Sequence, residues 1–184
     1  MKLVIVSGHP ATGKTAVGER IVRDLGFKFC SKDAIKEKLF NSGTRTTWDY
    51  GWYERRAKDK FYKTIATYMA KSKPLVIEMN FTPQDKRRLR RLLTKDVKIV
   101  EIYCTAKGFT IIKRFIKRNE GGIRHRGHHD RRWYLTMISE ELLSYTGIRW
   151  PYKPLNYSSD LLTIDTNNIA IIDYKAIVQF VVQA

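Results

Sequence analysis

Residues 2–15 read Lys2-Leu3-Val4-Ile5-Val6-Ser7-Gly8-His9-Pro10-Ala11-Thr12-Gly13-Lys14-Thr15. The short β-branched run predicts a buried strand over Lys2–Val6. Gly8–Thr15 then fits GxxxxGK[ST] at every fixed position. Beyond it Val17, Ile21, Val22 and Leu25 recur at helical spacing, and Gly26 supplies a stop. Strand, glycine loop and helix in that order turn backbone N–H groups toward one point, where the helix N-terminus adds partial positive charge. The loop is therefore read as a phosphate cradle made of Gly8, His9, Pro10, Ala11, Thr12, Gly13, Lys14 and Thr15. Lys14 would reach the β and γ phosphates of a nucleoside triphosphate, and the Thr15 hydroxyl would hold Mg²⁺. ATP and Mg²⁺ are the expected cofactors.

Outward from the loop, strands and helices alternate. Phe27–Cys30, Pro74–Met79, Val97–Cys104 and Leu161–Asp165 read as further strands. Helices are expected near Ile35–Phe40, over Gly51–Lys71 with Tyr53, Ala57, Phe61 and Ile65 on one stripe, and after Thr82-Pro83, a cap followed by a helix-opening proline. Ala106–Arg118 (Phe109, Ile112 and Phe115 inward), Arg131–Ser144 and Ile169–Val182 complete the set. Such alternation implies an α/β parallel sheet covered on both faces.

The chain has 184 residues, a length suited to a single domain over 1–184. Two cysteines, Cys30 and Cys104, make no disulfide framework and no metal spacing, so a reduced, cytoplasmic location is expected. No apolar run approaches a membrane span or a leader segment. The unusual quantity is a net charge of +17, which points to anionic partners: nucleotide, nucleic acid or an acidic metabolite. The excess is central. Residues 51–100 carry 14 basic and 5 acidic side chains, whereas residues 133–184 carry 3 and 5. Nothing in the sequence sets an oligomeric state. A GTPase of the common type is excluded, because no glycine has an aspartate three residues before it and Thr94-Lys95-Asp96 lacks base-reading spacing.

Several stretches, in this order, resemble one family: Ser7–Thr15, Ser31-Lys32-Asp33, Val76–Phe81 with a basic helix behind it, the arginine-rich Arg114–His128, and Ile164-Asp165-Thr166. Together they are similar to AAA-type small P-loop kinases of the polynucleotide 5′-kinase, chloramphenicol phosphotransferase and zeta-toxin kind. The Arg124–His128 string is similar to a bacterial subgroup of that family. The resemblance implies a three-layer P-loop NTPase fold, a five-stranded parallel sheet in order 2-3-1-4-5, and an arginine-rich lid over about 114–130. It implies a γ-phosphate transfer to a hydroxyl, with Asp33 touching that hydroxyl, and a turn at Asp165–Asn168 beside the adenine. The acceptor stays open among a small metabolite, a nucleoside or amino-sugar nucleotide, an antibiotic and a nucleic-acid 5′ end. A nucleotide-dependent nucleic-acid binder without kinase activity is the other reading.

Each candidate also has a plainer role. Asp33 could simply cap the next helix, though Ser31 could do so instead. Lys36 reads as a surface lysine. Glu78 ends an apolar strand and could hold Mg²⁺, or could make a local hydrogen bond; Asn80 lies two residues on. Arg114 and Arg118, spaced i, i+4, and Arg124 and Arg126 on the loop could stabilise charge on a transferring phosphoryl group, with Gly121, Gly122 and Gly127 lending mobility, or could be solvated. His125, His128 and His129 also suggest a metal site, disfavoured in so basic a loop. Lys86, Arg87, Arg88, Arg90 and Arg91 could be a solvated helix face or track a phosphate backbone. Trp48, Tyr50, Trp52 and Tyr53 could stack a base or pack a lobe.

Overall fold

The structure is a computed structural model and describes residues 1–43, 49–121, 124–128 and 153–184. The helix expected over Arg131–Ser144, and Trp48, Gly122 and His129, lie outside these. Five parallel strands form one sheet in order β2-β3-β1-β4-β5: β1 Lys2–Gly8, β2 Lys28–Ser31, β3 Leu75–Glu78, β4 Lys98–Thr105 and β5 Leu161–Asp165. The expected order is the observed one. The chain winds from β1 to one side and then to the other, so the carboxyl end of β1 opens a crevice between β3 and β4.

The period-two alternation of β1 divides the core. Leu3 and Ile5 face one layer with Phe61, Ile65, Ile77 and Leu89. Val4 and Val6 face the other with Val17, Ile21, Ile102 and Val181. The first layer carries α2 (Lys32–Asn41), α3 (Tyr50–Ala70) and α4 (Pro83–Leu92). The second carries α1 (Lys14–Leu25) and α6 (Tyr174–Gln183). Thr82 caps α4, and Asp85 returns the bond to the Thr82 N–H, a reciprocal capping box. Helix α5 (Gly108–Glu120) sets Ile111, Ile112 and Phe115 against Ala11, so it roofs the glycine loop.

Two local expectations fail. Phe109 is exposed, because the buried stripe of α5 is Ile111, Ile112 and Phe115 and Phe109 sits on the turn before it. The last helix begins at Tyr174 rather than Ile169. Asn168 caps a single 3₁₀ turn over Ile169–Ile171, and the Asp173 side chain accepts the Ala176 N–H at 3.0 Å to start α6.

A returning segment ahead of β5 is held without regular structure. Glu101 of β4 is buried, and its carboxylate accepts the N–H groups of Asn156, Tyr157 and Ser158. Leu155 thereby enters the core beneath α3 and α4.

Candidate active site

The loop after β1 has the geometry its glycines require. Gly8 has φ 139°, Gly13 has φ 77°, and Ala11 accepts φ 61°. Gly13 is the N-cap of α1 and has no side chain to bond the first turn's N–H groups, so these stay available for phosphate oxygens. Thr12 Oγ1 donates to the His9 carbonyl at 2.7 Å, and Lys14 Nζ donates to the same carbonyl. Burial and then the Lys14 charge lower His9 to about 4, so its ring is neutral.

Lys14 and Glu78 are buried near each other. Burial pushes each toward its neutral form, lowering the lysine and raising the carboxyl, while the partner's charge pulls back. Ser31 has two tasks. Its Oγ accepts the Ala34 N–H and donates to Glu78 Oε2 at 2.7 Å. Ser31 is therefore the cap of α2, and Asp33 is released from that duty.

Asp33 sits in the first turn of α2, with Oδ1 2.7 Å from Lys32 Nζ. Lys32 also reaches Glu54 of α3 at 3.0 Å, and Lys36 reaches the same carboxylate at 3.0 Å. Burial alone would raise Asp33, but Lys32, His128 and Arg124 outweigh it and hold the carboxyl well below the usual carboxylate range. Lys36 departs from expectation: it is buried rather than a surface lysine, because Glu54 on the neighbouring helix receives it.

One cleft of about 1030 Å³ joins these parts. It is lined by the loop residues Pro10, Ala11, Gly13, Lys14 and Thr15, and by Asp33, Glu78, Asn80, Arg114, Arg118 and Arg124. Asn80 Oδ1 is buried without a hydrogen-bond partner among the described residues, an acceptor facing no donor. Arg114 is anchored: its Nη2 donates to the Thr166 and Asn167 carbonyls at 2.6 and 3.1 Å, tying α5 to the turn after β5. Arg126 is not brought to the cleft. It borders an adjoining depression with Glu37, Phe40, Asn41 and His125, whose wall Arg118 and Arg124 share with the cleft.

The Arg124–His128 segment is packed rather than loose. His125 rests edge-on to Phe40, and Gly127 is buried where a Cβ would lie 3.1 Å from Phe40 Cβ. Gly127 thus permits close approach; mobility was the expectation. His125 and His128 bind α2 side chains, and the described residues contain no cluster able to hold a metal through three His, Cys, Asp or Glu side chains. Of the aromatics, Tyr50 lines the cleft, while Tyr53 packs on Phe40 and Trp52. Sequence reading missed Glu54, Lys58 and Glu37, which also line the cleft. Glu54 and Lys58 are one helical turn apart, a spacing visible in the sequence but without a partner to give it meaning.

A family profile described as AAA domain matches residues 3–134. The chain belongs to this AAA domain family. A protein from Chloroflexus aurantiacus j-10-fl, described in print as a "putative kinase", is 34% identical, with 99% of this chain and 97% of that one aligned at a TM-score of 0.85. A gluconokinase from Sinorhizobium meliloti 1021 shares the fold at 16% identity and TM-score 0.54, over 99% and 89% of the two chains. A shikimate kinase from Bacteroides thetaiotaomicron does so at 13% and 0.53, over 97% and 94%. No curated protein matches the chain. Within the AAA domain family this chain has the small P-loop kinase fold, and that fold supports a phosphotransferase.

The family's usual groups fit the residues present. Gly8–Thr15 presents unpaired helix N–H groups for a triphosphate. Thr15 and Glu78 offer the two hard oxygen donors that Mg²⁺ commonly takes from protein while keeping its waters. No helix among the described residues is long and apolar enough to cross a membrane.

Proposed function

We propose that the protein is an ATP-dependent phosphotransferase that moves the γ-phosphate to a hydroxyl of a small-molecule or nucleotide acceptor. The observation carrying this reading is that Lys14 and Asp33 line one cleft, with Arg118 and Arg124 on its walls. Gly8–Thr15 binds the phosphates through backbone N–H groups, and Lys14 leaves the His9 carbonyl to contact the β and γ oxygens. Mg²⁺ held through Thr15 and Glu78 would neutralise charge on those oxygens. Asp33, kept ionised, accepts a hydrogen bond from the acceptor and aligns its hydroxyl oxygen with the γ-phosphorus. Arg118 and Arg124 stabilise charge on the moving group, and Arg114 fixes the turn beside the nucleotide. Arg126 stands outside this set.

The test is a library of hydroxyl metabolites and 5′-hydroxyl oligonucleotides screened with γ-labelled ATP. Lys14→Ala should abolish label transfer. Asp33→Asn should bind ATP normally and transfer about 10²–10⁴-fold more slowly. Transfer that survives Lys14→Ala refutes the reading. A polynucleotide 5′-hydroxyl acceptor is favoured by one observation: Arg87, Arg88, Arg90 and Arg91 of α4 are exposed, and Lys58 leads from α3 into the cleft. Oligonucleotide affinity that ignores salt eliminates that acceptor and the binder without activity.

A further inference from the structure

The Arg124–His128 segment brings two histidines onto α2, and their bonding differs. His125 has both nitrogens engaged: Nδ1 accepts the Gly127 N–H at 3.0 Å, and Nε2 pairs with Asn41 Oδ1 at 2.9 Å. It is a structural pin. His128 has one nitrogen engaged, Nε2, which lies 2.8 Å from Glu37 Oε1. Its Nδ1 has no hydrogen-bond partner among the described residues. The ring nevertheless lines the cleft, together with Asp33 and Arg124. A carboxylate that takes one imidazole N–H fixes ring orientation and tautomer and leaves the other nitrogen as an acceptor.

We propose that His128, oriented by Glu37, is a catalytic residue that takes the proton of the acceptor hydroxyl as its oxygen attacks, while Asp33 remains ionised and holds the acceptor through another of its donor groups. This rests on the phosphotransferase reading of the cleft. Asp33 is a weak base, being clamped by Lys32. Burial lowers His128, helped by Arg124 and Lys36 and opposed by Asp33 and Glu37, so the ring is neutral at pH 7. The His125 ring is 6.3 Å away and adds no ion pair. In the transfer the acceptor oxygen bonds to the γ-phosphorus. The bond from that phosphorus to the β–γ bridging oxygen breaks, and its electron pair leaves with ADP. The hydroxyl proton passes to Nδ1, Glu37 stabilises the imidazolium through Nε2–H, and water later removes the proton.

Spectra of the ¹⁵N-histidine-labelled full chain report the tautomer without turnover. Nε2–H with protonation below the ordinary histidine range is expected. A proton on Nδ1, or a charged ring at pH 7, overturns the proposal. Turnover of γ-labelled ATP with water as acceptor is then followed from about pH 5 to pH 8. Wild-type kcat should fall about tenfold per pH unit below the His128 midpoint. His128→Gln should lower kcat about 10²–10⁴-fold, keep the KM for ATP within about twofold, and lose that acid limb. Glu37→Gln retains the fold's volume and should move the limb to lower pH, since a charge that raises His128 is gone. A limb unmoved in both variants overturns the assignment. Turnover that needs Lys14 but not His128 also overturns it. Turnover that survives Lys14→Ala instead overturns the phosphotransferase reading, and the spectra still decide the tautomer.

Discussion

Gly8→Ala should be the most damaging small substitution in the chain. A Cβ at Gly8 would lie 2.1 Å from the Cys104 carbonyl oxygen and 3.1 Å from Thr12 Oγ1. Cys104 is the residue paired with Gly8 across β1 and β4, so relief requires about 1 Å of separation at the carboxyl end of the central strand. Side chains also avoid φ 139°. Strained backbone of this kind costs about 1–3 kcal/mol, and forced overpacking costs about 1–3 kcal/mol more. We expect about 4 kcal/mol, which for a chain of this length lowers Tm by about 8–16 °C. Gly26→Ala is the control: φ is 69° but a Cβ there meets nothing within 4 Å, so only the backbone cost of about 1–2 kcal/mol applies. Differential scanning calorimetry compares the two, and a fluorescent ATP analogue reports the loop. A Gly8→Ala protein no less stable than Gly26→Ala, with full nucleotide affinity, would refute the close-approach argument.

Three further outcomes follow from the packing. Glu101→Gln gives up part of the acceptor set that holds three N–H groups of the returning segment, and should cost about 2 kcal/mol, read as a Tm drop of about 4–8 °C. Thr82→Ala removes the capping box and should cost about 1 kcal/mol in urea unfolding; an unchanged midpoint would count against it. Glu54→Gln leaves Lys32 and Lys36 without their shared carboxylate, and at a side chain 35% exposed should cost about 1–2 kcal/mol at pH 7. Burial alone would raise Glu54, but Lys32 and Lys36 leave it lowered, so this contribution is present above about pH 4 and fades as pH falls through the depressed folded value. The gap between wild type and Glu54→Gln should therefore narrow at about pH 3, and a gap that widens contradicts the assignment.

The alternation of strands and helices and the phosphate loop were legible because both are written locally, whereas the strand order followed from the family resemblance. A β-branched run, fixed glycines and a 3.6-residue stripe follow one another along the chain without long-range information. The side chains of α2 and α3 that line the cleft were not. Lys36 looked like surface until Glu54, 18 residues on, stood opposite it. Glu37 carried no signal because its partner, His128, lies 91 residues away. Gly127 showed the opposite error: a glycine beside basic residues suggests freedom, whereas here it lets the chain lie close against Phe40 and His125. Phe109 and the late start of α6 were ambiguities of phase, where apolar residues exceed the stripe that finds a partner.

The two halves of the cleft are wired separately. On one side, residues 8–15 are braced by β1, β4 and α5. On the other side, Glu54 binds α2 and α3 into one unit through Lys32 and Lys36. A polar link between the two sides runs through Ser31, which donates to Glu78, and through Glu78 beside Lys14. An exchange of α2 or α3 residues would therefore have to keep Lys58 on Asp85, and Glu37 and Asn41 on the two histidines of the Arg124–His128 segment.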